Sequence, residues 1–184
     1  MNIIISCATL HRVTDLSAEP ETGYITFMQT FLPYSNFEHS VAVLDRQRLG
    51  KQRIECQQIL SALIPNAGMP KGWTNHPATL QWKGYESALA AYMTFCINEL
   101  EARGYTNNMM RPYNAAWSVT PGYAPERFTQ DARNIVMPPW LGDERFHASH
   151  RSALLFKDGA HYGKFRWAEE PKLDYFWPTK EGLI

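Results

Sequence analysis

Arg46, Arg48, Lys51 and Arg53 fall within eight residues of one another, and the carboxylate of Glu55 follows directly. Asp45 stands before them, placed to cap a helix, and Leu49, Cys56, Ile59, Leu60 and Leu63 fit a single apolar face behind it. Arg48, Lys51, Gln52 and Glu55 are spaced by three and four residues, so a helix would bring them onto a second, shared face. Cations lined up beside one acid can hold the backbone of a polyanion while the acid does chemistry. Glu55 suits general acid/base work or electrostatic support of a cationic sugar intermediate. Arginine suits phosphate because its donors form a fixed fork. The same spacing also describes an ordinary solvated helix face carrying weak ion pairs, and spacing alone favours that reading.

Two further groups could carry chemistry. Trp73 and His76 sit in a loop closed by Pro77, where the indole could stack on an extruded base and the imidazole could meet phosphate. A histidine bonded to a backbone carbonyl is the competing reading for His76. His147 and His150 lie three apart in a helical pattern, with Arg151 beside them. That spacing makes half a metal site, with Asp143 and His161 as the nearest further ligands. No Walker loop, GxGxxG, GxSxG or zinc-ribbon pattern is present.

The elements that must position these residues read as helices. A short one is predicted over about 36–43 and the main one over about 45–64, ending at the breaker cluster Pro65-Asn66-Ala67-Gly68. A long helix over about 78–103 carries Trp82, Tyr85, Leu89, Tyr92, Met93, Cys96 and Leu100 on one stripe, and Gly104 stops it. Residues 105–124 are irregular, and Pro125 opens a short helix. Asp143 caps a helix over about 144–157. The aromatic tail from His161 to Pro178 folds back over the helices. No stretch alternates strongly enough to demand a sheet. The expected fold is all-α, a compact single-domain bundle of about three main helices with long irregular aromatic loops and tail.

At 184 residues the chain fits one domain, and its 45% hydrophobic and 13% aromatic content excludes a disordered class. The formal net charge is zero, so any affinity for nucleic acid must come from a local patch. Residues 1–27 differ from the rest and read as an N-terminal extension, with the helical domain over 28–184 and Met28 as an alternative start. Cys7, Cys56 and Cys96 form no CxxC pair and fit a reducing compartment. No apolar run approaches a membrane span, and the apolar start lacks a positive leader. The expectation is a monomer in the cytoplasm of a bacterial cell or phage-infected host, without membrane contact.

Three separated signatures then converge. They are Met28-Gln29-Thr30-Phe31-Leu32-Pro33-Tyr34; Leu44-Asp45 with Arg48-Leu49-Gly50-Lys51-Gln52-Arg53 and Glu55; and Pro139-Trp140-Leu141-Gly142-Asp143-Glu144 with His147, Ser149-His150-Arg151 and Trp177-Pro178. With Asn75-His76-Pro77 and Trp82-Lys83-Gly84-Tyr85-Glu86 between them, the pattern over roughly 28–178 resembles the pyrimidine-dimer DNA glycosylases of phages and bacteria. These are similar to the endonuclease V type of ultraviolet-repair enzyme. The resemblance implies a compact all-α fold without metal or other cofactor, acting on double-stranded DNA with damaged or modified pyrimidines. It implies release of a base from a dimerised pyrimidine, attack of an amine on C1′ to form an imine, and β-elimination at the abasic sugar. The family's acid maps to Glu55, and its phosphate-binding helix arginines map to Arg48 and Arg53. Arg46, Trp73, His76, His147, His150 and Arg151 complete the expected DNA-binding set.

The family's amine is the terminal amine of a threonine exposed after methionine removal. Here Gln29 separates Met28 from Thr30. Three possibilities stay open: processing exposes an amine near Thr30, Lys51 supplies it, or the imine step is absent. Two other readings stand beside the enzyme: a nucleic-acid-binding module that cleaves nothing, and a metal hydrolase built on His147 and His150.

Overall fold

The computed structural model of the chain describes residues 28–63, 74–108 and 135–178. It is all-α, with no strand among the described residues. The N-terminal extension, Cys7, Trp73 and the short helix expected at Pro125 lie outside them.

Local chemistry explains most helix starts and stops. α1 (Phe37–Val43) is capped by Asn36, whose side chain accepts from the His39 amide. α2 (Arg46–Leu63) begins where the Asp45 carboxylate accepts from the amides of Gln47 at 2.8 Å and Arg48 at 3.0 Å. α3 (Pro77–Leu80) is a single turn with proline at its start and His76 as its cap. α4 (Glu86–Ala102) ends at Gly104, which adopts φ +81°. α5 (Glu144–Lys157) is capped by Asp143, and α6 (Gly159–Tyr162) by Asp158.

The one long helix expected over 78–103 is two elements. Gly84 takes φ +87° in the turn between α3 and α4, a conformation that ends a helix and favours glycine. Trp82 therefore sits in the turn, fully buried, rather than on the stripe of α4.

α2 packs chiefly on α4. Leu49, Cys56, Ile59 and Leu60 of α2 join Leu89, Tyr92, Met93, Cys96 and Leu100 of α4 in one buried core. Cys56 and Cys96 are free and buried there, and burial pushes the Cys56 thiol's pKa up. The tail folds back as expected. Trp167 stacks on Phe165 and Tyr162, and Tyr175 packs against Phe31 and His150.

An irregular segment, residues 28–33, runs through this core with every residue buried. A buried backbone outside any helix or sheet must find partners for its N–H and C=O groups. Side chains supply them. Gln52 donates to the Gln29 carbonyl at 2.9 Å and accepts from the Phe31 amide at 2.7 Å. Tyr92 donates to the Phe31 carbonyl at 2.6 Å. Leu32 is held from both sides, its amide donating to His150 Nδ1 at 2.8 Å and its carbonyl accepting from His147 Nδ1 at 2.7 Å. Arg151 donates to the Pro33 carbonyl at 2.9 Å. Three residues of α5 thus tether a segment more than a hundred positions away in sequence.

Candidate functional site

One face of α2 turns Gln47, Arg48, Lys51, Gln52 and Glu55 into one cleft. Phe31 closes it from the buried segment and Lys157 from the last residue of α5. Its volume is about 130 Å³, enough for one sugar or base of a polynucleotide and far too little for a duplex.

Glu55 lies at the inner wall and is only 3% exposed. Gln52 Nε2 donates to its carboxylate at 2.7 Å, and Lys51 Nζ lies 3.4 Å away, one turn earlier on the helix. Burial raises its pKa from 4.5 to about 7. The charge of Lys51, the Gln29 backbone amide and the charge of Lys157 all pull the other way, and desolvation outweighs them. A carboxyl titrating near neutrality can both give and take a proton, which is what general acid/base work asks of it.

Arg48 stands in the cleft wall with its guanidinium already engaged. It pairs with Asp45 at 2.6 Å, donates to the Lys157 carbonyl at 3.1 Å, and lies over the Tyr162 ring. Burial raises the Asp45 pKa, but hydrogen bonds from Tyr162 and Arg48 outweigh it and hold the carboxyl below its usual range. Arg48 therefore fastens the start of α2 to the end of α5. Lys51 is different: its side chain is 49% exposed at the mouth of the cleft.

The remaining residues singled out from the sequence separate into groups. Arg46 and Arg53 do not line the cleft. Arg46 lies over the Tyr105 ring, and Arg53 donates to Gly50 and Asn107, so both lean on the segment after α4. His76 caps α3 through Nδ1 and meets Trp177 edge-on; burial lowers its pKa. Thr30 is fully buried, its hydroxyl accepting from Trp82 Nε1 at 2.9 Å and Gln81 Nε2 at 3.3 Å. That side chain is committed to the core.

His147, His150 and Arg151 require a correction. They were expected at the DNA, and the structure places them inside, holding Leu32 and Pro33. His147 Nδ1 donates to a carbonyl while Nε2 accepts from the Gly142 amide, so its ring is neutral. His150 Nδ1 accepts, which makes it the other neutral tautomer. Burial is the main cause lowering both pKa values, that of His150 to about 3. Arg151 pairs with Glu169 at 2.6 Å and with Glu144. Among the described residues no group of three or more His, Cys, Asp or Glu could hold a metal ion.

Lys157 was missed. A lysine in a last helical turn ordinarily faces solvent and the helix dipole. Its signal was weak: it lies seven residues after His150, two turns along the same stripe.

Residues 28–112 match a family model described as pyrimidine dimer DNA glycosylase. The match supports the family read from the sequence. No curated protein and no solved structure matches the chain. The pyrimidine dimer DNA glycosylase match contains α1 to α4, and with them Glu55, Lys51, Gln52 and the segment that buries them. Lys157 comes from outside it. No helix among the described residues is long and apolar enough to cross a membrane.

Proposed function

We propose that this protein is a DNA repair glycosylase that excises dimerised or otherwise altered pyrimidines from duplex DNA, and that it cleaves the strand at the resulting abasic site. The observation that carries the reading is Glu55: a buried carboxyl, poised near neutrality, in a cation-walled cleft within the stretch that matches the family.

The chemistry follows from that placement. The cleft admits one sugar or base, so the duplex must bend or turn a nucleotide out to bring C1′ against Glu55. Damaged bases are easier to unstack, which itself favours damaged sites. Lys51 at the mouth supplies charge for the phosphate backbone. As the glycosylic bond breaks, positive charge develops on the sugar and the Glu55 carboxylate faces it. In its protonated form the same group can return a proton to the ring oxygen.

Incubating the purified chain with ultraviolet-irradiated and untreated plasmid tests the reading. Nicking confined to irradiated plasmid is expected, with glycosylic-bond cleavage before strand scission. Equal nicking of both plasmids, or of neither, rejects it.

A further inference from the structure

We infer that Lys157, at the end of α5, supplies the amine that attacks C1′, an inference resting on the glycosylase–lyase function proposed above. Two amines line the cleft among the described residues, Lys51 and Lys157. They differ in what already occupies them.

The Lys51 ammonium is paired with Glu55 at 3.4 Å and half open to solvent. That pairing ties it to the carboxyl, whereas a nucleophile needs a free lone pair. Lys157 forms no ion pair among the described residues. Its Nζ sits 5.9 Å from the centroid of the Phe31 ring, in the cleft that the α2 residues also line. The backbone there is fixed, because Arg48 of α2 donates to the Lys157 carbonyl at 3.1 Å. Half-burial is the main cause lowering its pKa, joined by the charges of Arg48 and Lys51, while Glu55 pulls upward. Amines desolvated beside other cations are the ones that become nucleophilic at neutral pH.

The step balances with groups on the page. The Nζ lone pair forms a bond to C1′, and the glycosylic bond breaks with its electron pair leaving on the base. The amine proton passes to Glu55 and from there to the ring oxygen as the sugar opens to the imine. Loss of a 2′ proton then expels the 3′ phosphate by β-elimination. Borohydride supplies hydride to the imine and leaves a stable secondary amine joining Nζ to C1′.

The test traps the full chain on a duplex oligonucleotide carrying an abasic site, with borohydride, and maps the adduct by peptide mass. An adduct on Lys157 is expected. Lys157→Arg should lose trapping while keeping charge and melting temperature. An adduct on Lys51 or on a terminal amine overturns the assignment, as does full trapping by Lys157→Arg. Glycosylic-bond cleavage in irradiated DNA, measured alongside as base freed when the dimer is photoreversed, separates the two levels. Wild type that breaks glycosylic bonds and yields no Lys157 adduct refutes the role of Lys157 alone. Wild type that breaks none refutes the glycosylase reading itself.

Discussion

Glu55→Gln should separate stability from catalysis in a pH-dependent way. The folded chain holds the Glu55 proton more tightly than the unfolded chain, because burial raises the carboxyl pKa from 4.5 to about 7. Stability from this group is therefore full below about pH 4.5 and is lost as pH rises through about 7. A rise of that size corresponds to about 3 kcal/mol. Gln carries no such proton. Its amide faces the donors of Gln52 and Gln29, but that penalty does not vary with pH and cancels when two pH values are compared. His150 slopes the opposite way. Its folded pKa is pushed down to about 3, so its contribution is present above about 6.5 and lost as pH falls through that range. The wild-type profile alone thus hides both groups, and only the difference between variant and wild type isolates Glu55. Urea unfolding of both proteins at about pH 5 and about pH 8.5, with thiols kept reduced, reads that difference. It should move toward the variant by about 3 kcal/mol across the window. A constant difference would refute the buried, near-neutral carboxyl. The same variant should bind damaged DNA and lose excision, and unimpaired excision would remove Glu55 from the chemistry.

Lys51→Ala should weaken DNA binding evenly across sequences and flatten the salt slope by about one, read from titrations at several salt concentrations. The same change removes a charge that lowers the Glu55 pKa, so the pH–activity profile should move upward. The His150 ring should stay neutral at about pH 5, with imidazole nitrogen shifts matching those at about pH 7; a protonated ring would contradict its role as acceptor for Leu32. Tyr162→Phe removes a hydroxyl that donates to Asp45 at 2.6 Å and accepts from its amide at 3.2 Å. It should cost about 1–2 kcal/mol in urea unfolding.

What was legible in the sequence is what local chemistry determines. Asp45 and Asp143 cap the helices they precede because a carboxylate satisfies free amides within three residues. The face holding Arg48, Lys51, Gln52 and Glu55 follows from helical period alone, and the cleft contains all four. Gly84 defeated that period: the aromatic spacing of Trp82 and Tyr85 continues the stripe of α4, and only the glycine's positive φ breaks it. The partners of the buried segment were illegible. His150 meets Leu32, and Arg151 meets Pro33, across 118 positions in sequence, through bonds from side chain to backbone that leave no periodic trace. Histidine and arginine on a helix near an expected DNA site then read as contacts, although their hydrogen bonds point inward.

The inward bonds also bear on the chemistry. Segment 28–33 brings the Gln29 amide to Glu55 and Phe31 into the cleft, and it stays there because Gln52, Tyr92, His147, His150 and Arg151 satisfy its backbone. Three of those five belong to α5, which also delivers Lys157 to the cleft. Without α5 the Leu32 amide and the carbonyls of Leu32 and Pro33 would be left without these partners, each at a cost of about 1–3 kcal/mol if still buried. The segment would then have reason to leave the core, taking the Gln29 amide away from Glu55 and opening the carboxyl to water. Desolvation is what carries the Glu55 pKa to about 7, so the acid's tuning depends on α5 through the buried segment as well as through the charge of Lys157. The stretch that matches the family holds the carboxyl, while the remainder of the fold sets how tightly that carboxyl keeps its proton.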